Sequence, residues 1–212
     1  MKALVTGGRS GIGAAIVDAL GDGDVTVLDI VDGHDVARPE TWRALEGEFD
    51  AAFLNAGVLT GEADIAVLDD AQYRRILGVN LDGVVFGVRE LAVRLMPAGG
   101  SIVVTASLAG LVGSRLDPVY ALTKHAVVGF VRSVAPQLEA RGIRINALCP
   151  GFADTPLVAD EMRDALPAPL IPASFVAEGA LRALRDPESG GAWVVQPNRI
   201  ERFRYPGVPG PR

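Results

Sequence analysis

Three residues able to do acid/base chemistry stand close together: Ser107, Tyr120 thirteen residues on, and Lys124 four further. On a helix, a Tyr at i and a Lys at i+4 share one face, and Pro118 sits where helices begin, so the phenol and the ammonium can meet. A free tyrosine has a pKa of about 10, and bringing it to about 7 takes roughly 4 kcal/mol in favour of the phenolate. A lysine charge ~4 Å away gives about 1 kcal/mol in bulk water and about 4 kcal/mol at an effective dielectric near 20. The pair therefore works only in a partly dry cleft. Alone, a Tyr and a Lys at this spacing are equally an ordinary helix-surface pair, and their neighbours have to decide.

Residues 101–106 are an apolar strand with Ser107 at its carboxyl end, where open α/β sheets place their ligands. A loop of small residues leads into the helix, which is expected to run past His125 to about 141, kink at Pro136 and end at Gly142. His125 points about a third of a turn away from Tyr120 and Lys124 and is read as packing or surface.

At the amino terminus a buried strand, 2–6, runs into Gly7-Gly8-Arg9-Ser10-Gly11-Ile12-Gly13 and then a helix, about 14–20. Glycines let a backbone approach a pyrophosphate, and a helix N-terminus offers it free N–H groups and a positive dipole end. A plain tight turn has the same composition, but this one has the strand, helix and second strand (25–29) that the motif requires. Asp29 ends that second strand, where a carboxylate accepts the ribose hydroxyls of NAD and repels the 2′-phosphate of NADP.

Only residues 30–34 separate Asp29 from Asp35-Val36, and a parallel crossover needs a dozen or more residues. One helix, about 39–48, fits before the next strand, 51–55. The expected fold class is therefore α/β, a Rossmann-like doubly wound parallel sheet in a single domain, with six strands and the usual third strand missing or vestigial. A long helix follows from 69 to about 96, with Asp69 and Asp70 at its start and Pro97 at its end. Asn80 lies inside it, where its amide is a poor helix former and could be merely tolerated. A strand at 143–149, a helix at 173–185 and a short strand at 192–195 complete the domain, 1–196. Residues 197–212, with Pro197, Pro206, Pro209 and Pro211, are expected to form an irregular tail.

Together, Ser107 and Tyr120-x-x-x-Lys124 resemble the catalytic signature of the short-chain dehydrogenase/reductase family, and Thr6-Gly7-x-x-x-Gly11-x-Gly13 is similar to its cofactor loop. The runs Thr105 to Leu111 and Asn146 to Phe152 are similar to its 15-hydroxyprostaglandin dehydrogenase branch. Asn55-Ala56-Gly57 resembles the family's turn along the cofactor, although a Gly-ended turn is common on its own. Asp35-Val36 resembles the pair flanking the adenine. Pro150-Gly151-Phe152-Ala153-Asp154-Thr155 resembles the turn at the nicotinamide end, with Thr155 bonding the cofactor.

The resemblance implies hydride transfer between a secondary alcohol or ketone and C4 of a nicotinamide. Tyr120 would be the acid/base, Ser107 would hold the substrate oxygen, Lys124 would hold the ribose and favour the phenolate, and Asn80 would complete a proton path through a bound water. The cofactor would lie along Gly7, Arg9, Ser10, Gly11, Ile12, Gly13, Asp29, Asp35, Val36, Asn55, Ala56 and Gly57, and reach Tyr120, Lys124, Pro150, Gly151, Phe152 and Thr155. NAD is favoured over NADP, because Ser10 stands where NADP-preferring relatives carry a base; Arg9, one residue earlier, keeps NADP open. In relatives the long helix pairs with the catalytic helix of a second subunit, which implies a homodimer or homotetramer.

The 212 residues are 49% hydrophobic, enough for one full core. A net charge of −6 argues against nucleic acid or an anionic membrane as the partner. Cys149 stands alone and is read as buried, His34 and His125 are far apart, and no metal is expected. No apolar run approaches the roughly 20 residues of a membrane span, so the expected location is the cytoplasm. Leu108, Leu111, Val112, Leu116, Phe152, Leu157 and Met162 outline an apolar pocket wall for an uncharged alcohol, Arg115 being either an acid-recognising group or simply solvated. Residues 156–170 are a candidate lid. Two rivals are a catalytically silent dinucleotide-binding sensor or scaffold, and an epimerase or dehydratase, whose longer substrate domain is absent here.

Overall fold

The computed structural model describes residues 1–158, 163, 166 and 169–206. Its spine is a seven-stranded sheet built from β1 (Lys2–Thr6), β2 (Asp24–Leu28), β3 (Ala51–Leu54), β4 (Gly100–Thr105), β5 (Ile143–Pro150), β6 (Ala192–Gln196) and β7 (Arg199–Arg202), in the order β2-β1-β3-β4-β5-β6-β7. The first six are parallel and β7 is antiparallel to β6. Strands β3 and β4 are buried on both faces, which is why they read as continuous apolar runs.

Helices cover both faces. On one side α1 (Gly11–Leu20) and α6 (Ala173–Arg185) set Ile16, Val176 and Ala180 against Val5, Phe53 and Leu148. On the other, α2 (Pro39–Arg43), α3 (Asp70–Leu77), α4 (Gly83–Glu90) and α5 (Pro118–Glu139) pack Trp42, Val88, Val127 and Val131 over Leu4, Ala52, Val104 and Ile145.

The missing third strand is indeed missing. Residues Ile30–Asp32 form one turn of 3-10 helix, which Asp29 caps by accepting from the Val31 N–H. Gly33 at φ 84° turns the chain towards Val36, which is buried against Gly83 and accepts from the Trp42 indole N–H at 2.9 Å.

Three expectations need correction. Besides the six predicted strands there is a seventh, from the tail expected to be irregular: Pro197 and Asn198 make a two-residue turn in which Asn198 adopts φ 60°, and Gln196 pairs with Arg199. Ile200 then packs on one core and Phe203 and Tyr205 on the other, so apolar burial outweighs the proline content; residues 207–212 lie outside the described residues. The helix expected over 39–48 stops at Arg43. The long helix is interrupted by wider π-helical turns at Gly78–Asp82 and Leu91–Leu95. Helix α5 continues through Pro136 to Glu139.

Candidate active site

A cleft of about 710 Å³ opens along the carboxyl ends of β1, β3, β4 and β5. Its two ends are built differently. At one end the β1–α1 turn comes close to β3: Gly7, at φ 66°, lies against Ala56, and a Cβ on Gly13 would overlap the Gly7 carbonyl oxygen. The Ser10 side chain makes no cap bond to α1, so the first-turn N–H groups of that helix have no side-chain cap, and Ser10, Gly11 and Ile12 line the cleft. Thr6 Oγ1 accepts from the N–H groups of Asn55 and Ala56, at 2.9 and 3.0 Å, and so ties the Asn55-Ala56-Gly57 turn to β1. Asn55 in turn accepts from the Thr105 hydroxyl at 3.1 Å.

At the other end Ser107 caps the 3-10 turn Leu108–Gly110, its Oγ accepting from the Ala109 N–H at 3.1 Å. That turn presses on α5: a Cβ at Gly110 would stand 2.6 Å from the Lys124 carbonyl oxygen. Ser107 is thereby held beside the helix that carries Tyr120 and Lys124. Asp117, buried at the start of α5, accepts from the Tyr120 N–H at 2.8 Å and from the Thr60 N–H at 2.7 Å. One carboxylate thus fixes both the helix start and the loop after β3.

The charges follow from burial. Desolvation pushes the Tyr120 phenol up to about 12; the Ser107 hydroxyl beside it pulls it partly back, and Asp117 and Cys149 add to the rise. The half-buried phenol is therefore neutral at physiological pH. Lys124 is 3% exposed, and desolvation brings it down to about 8. Its Nζ donates to the Thr105 carbonyl at 2.8 Å and lies 5.4 Å from the centre of the Tyr120 ring. Cys149 is a free thiol in the layer beneath, pushed up to about 12 by burial.

The cleft brings together Gly7, Ser10, Gly11, Ile12, Asn55, Ala56, Gly57, Ser107, Tyr120, Lys124, Pro150, Gly151, Phe152 and Thr155. Asn80 stands behind it, fully buried in the first π-helical turn. Its Oδ1 accepts from the Val58 N–H at 2.8 Å, and its Nδ2 donates to the Val58 carbonyl and the Thr123 hydroxyl. Asp29 lies just off the cleft, one oxygen accepting from the Arg9 N–H and the other from the Val31 N–H. Arg9, Gly13, Asp35 and Val36 do not line it: Arg9 pairs with Asp32 at 2.7 Å, Asp35 with Arg38 at 3.4 Å, and Val36 belongs to the core. Of the apolar wall, Leu108, Val112, Leu116, Phe152 and Leu157 face the cleft, whereas Leu111 packs on the core and Arg115 stands outside. Met162 and most of the lid segment lie outside the described residues.

Sequence reasoning read Thr6 only as the first residue of the glycine motif, and missed Thr60, Thr105 and Asp117 as parts of the site. Only Asp117 left a signal, an Asp-Pro step with Tyr120 three residues on, the spacing of an N-cap. No group of three or more His, Cys, Asp or Glu side chains among the described residues could hold a metal ion, and no helix among them is long and apolar enough to cross a membrane.

The family model described as enoyl-(acyl carrier protein) reductase matches residues 10–168. Cis-4-hydroxycyclohexanecarboxylate dehydrogenase of Sinomonas cyclohexanicum is 35% identical over 187 residues, which cover 74% of this chain and 75% of that one. The chain belongs to the short-chain dehydrogenase/reductase family. As a short-chain dehydrogenase/reductase it is an oxidoreductase, and the 3beta-hydroxysteroid dehydrogenase of Mediterraneibacter gnavus is a second relative, 31% identical over 190 residues covering 76% of this chain and 69% of that one. The family's fold is shared with 3-ketoacyl-(acyl-carrier-protein) reductase from Brucella melitensis, solved in complex with NADH: TM-score 0.79, 23% identity, 91% of this chain and 95% of that one covered.

Proposed function

We propose that this short-chain dehydrogenase/reductase transfers a hydride between a secondary alcohol or ketone and NAD, with Tyr120 as the acid/base. The observation that carries the reading is one cleft holding Ser107, Tyr120 and Lys124 at one end and the Gly7 to Gly13 turn at the other. The glycine cradle, where a side chain on Gly13 would collide with backbone, fits a pyrophosphate at the start of α1. Each Asp29 oxygen, already accepting one backbone N–H, keeps a second acceptor direction for a ribose hydroxyl.

When bound, the nicotinamide gives or accepts the hydride at C4. The Ser107 hydroxyl donates to the substrate oxygen and fixes its position. Tyr120, neutral in the free protein, gives its proton to that oxygen in the reducing direction; in the oxidising direction it must first lose the proton. The Lys124 charge, in a dry setting 5.4 Å from the ring, favours that loss. Asn80 Oδ1 and Lys124 Nζ both border Gly57, which supports Asn80 as the residue that would hold a water carrying the proton on beyond the lysine.

The apolar rim of Val112, Leu116 and Leu157 and the relative named for a hydroxysteroid favour an uncharged or lipophilic alcohol. Exposed Leu122 on α5 and Tyr73 on α3 are groups a second subunit would cover, in line with a homo-oligomer. Tyr120→Phe tests the reading. Turnover of a panel of secondary alcohols with NAD, followed by absorbance of the reduced cofactor, should vanish while NADH binding persists. An active mutant rejects the assignment, and a wild type that binds NADH but turns over no alcohol or ketone favours the silent-sensor rival.

A further inference from the structure

The single turn of helix that replaces the third strand carries Asp32. Its Oδ2 accepts from Arg9 Nε at 2.7 Å, while the backbone N–H of the same arginine donates to Asp29 at 2.9 Å. Arg9 is the one cation of the Gly7 to Gly13 turn, and so the one charged group there able to meet a phosphate on the adenosine ribose. The next arginine along the segment, Arg38, forms a looser ion pair with Asp35 at 3.4 Å. A 2′-phosphate at Asp29 would bring a charge of about −1.5 to −2 towards two carboxylates, Asp29 and Asp32, with the local guanidinium already neutralised. A 2′-hydroxyl meets no such opposition and finds an acceptor.

The pair is open to water, with the Arg9 side chain 56% and Asp32 34% exposed. It therefore adds little to folding, and what it changes is where the guanidinium points. A freed Arg9 could instead make charge-assisted, bidentate bonds to a phosphate.

We propose that Asp32 is a specificity-determining residue: by holding Arg9 it withholds the cation that a 2′-phosphate requires, and so selects NAD over NADP. The proposal rests on the dinucleotide reading of the cleft given above.

The test is equilibrium binding of NADH and NADPH, without substrate, read by nicotinamide fluorescence on the wild type, Asp32→Asn and the double variant Arg9→Ser/Asp32→Asn. The wild type should bind NADH more tightly. Asp32→Asn should raise NADPH affinity roughly tenfold, the worth of one hydrogen bond from a charged group, with NADH affinity within about twofold. The double variant should lose that gain. An unchanged NADPH-to-NADH ratio in Asp32→Asn, a gain that survives removal of Arg9, or a wild type that prefers NADPH overturns the proposal and leaves the dinucleotide reading standing. A wild type that binds neither cofactor overturns that reading, and the proposal with it.

Discussion

Lys124 donates its ammonium proton to the carbonyl oxygen of Thr105, at 2.8 Å, in a position only 3% open to solvent. No carboxylate stands among the causes acting on it, and burial brings its pKa from the ordinary 10.5 to about 8, a penalty of about 3 kcal/mol on the charged form. Replacing it with methionine removes the penalty but leaves the Thr105 carbonyl without its donor, which costs about 1–2 kcal/mol. Lys124→Met is expected to be inactive yet more stable at pH 7 by about 1–2 kcal/mol, measured by urea unfolding.

The same group sets a pH dependence whose sign follows from proton counts. The unfolded chain keeps the lysine proton up to about 10.5, the folded chain releases it near 8, and stability from this source rises with pH between the two. The advantage of Lys124→Met should therefore shrink steadily from pH 8 to 10.5. Tyr120 and Cys149, both raised to about 12, act in the opposite direction in both proteins; the Lys124 charge bears on Cys149, but the folded chain keeps that thiol protonated throughout this range, with or without the lysine. A gap that stays constant over this range refutes the buried-charge account.

Asp117 joins the start of α5 to Thr60, and its charge helps hold the Tyr120 proton in place. Asp117→Asn can accept from only one of the two N–H groups. Stability should fall by about 1–2 kcal/mol, and the rate of alcohol oxidation should reach its plateau at lower pH than in the wild type, because a negative charge beside the phenol is gone. A purely structural residue would lower kcat and leave the pH profile where it was.

Asn80 is fully buried and holds both backbone groups of Val58. Asn80→Ala leaves those groups unpaired and should destabilise by about 2–3 kcal/mol, with a fall in turnover larger than the fall in NADH affinity, since the catalytic end of the cleft is what it supports. Equal losses in the two measurements would assign Asn80 to cofactor binding alone.

Gly13 has no room for a side chain, since a Cβ would overlap the Gly7 carbonyl and approach Asn55 Nδ2 at 2.8 Å. Gly13→Ala is expected to separate α1 from β1 and abolish dinucleotide binding, seen as loss of NADH fluorescence enhancement. Gly129→Ala, on the exposed side of α5 with open space around it and no left-handed backbone, provides the control and should retain binding.

Much of this was legible from the chain itself. Parallel strands buried on both faces are written as unbroken apolar runs, and a five-residue gap after Asp29 cannot return a parallel strand, so six strands and the loss of the third were open to reading. Tyr120 and Lys124 share a face because helix periodicity requires it. Local rules of this kind reach a few residues along the chain and no further. That Asp117 clasps Thr60, that Thr6 secures Asn55, that Asp32 takes Arg9, and that β7 returns against β6 depend on contacts between segments that only the folded sheet brings together. The titration of Tyr120 and Lys124 belongs with them: helix periodicity makes them neighbours, but burial, a property of everything packed around them, decides which proton each one keeps.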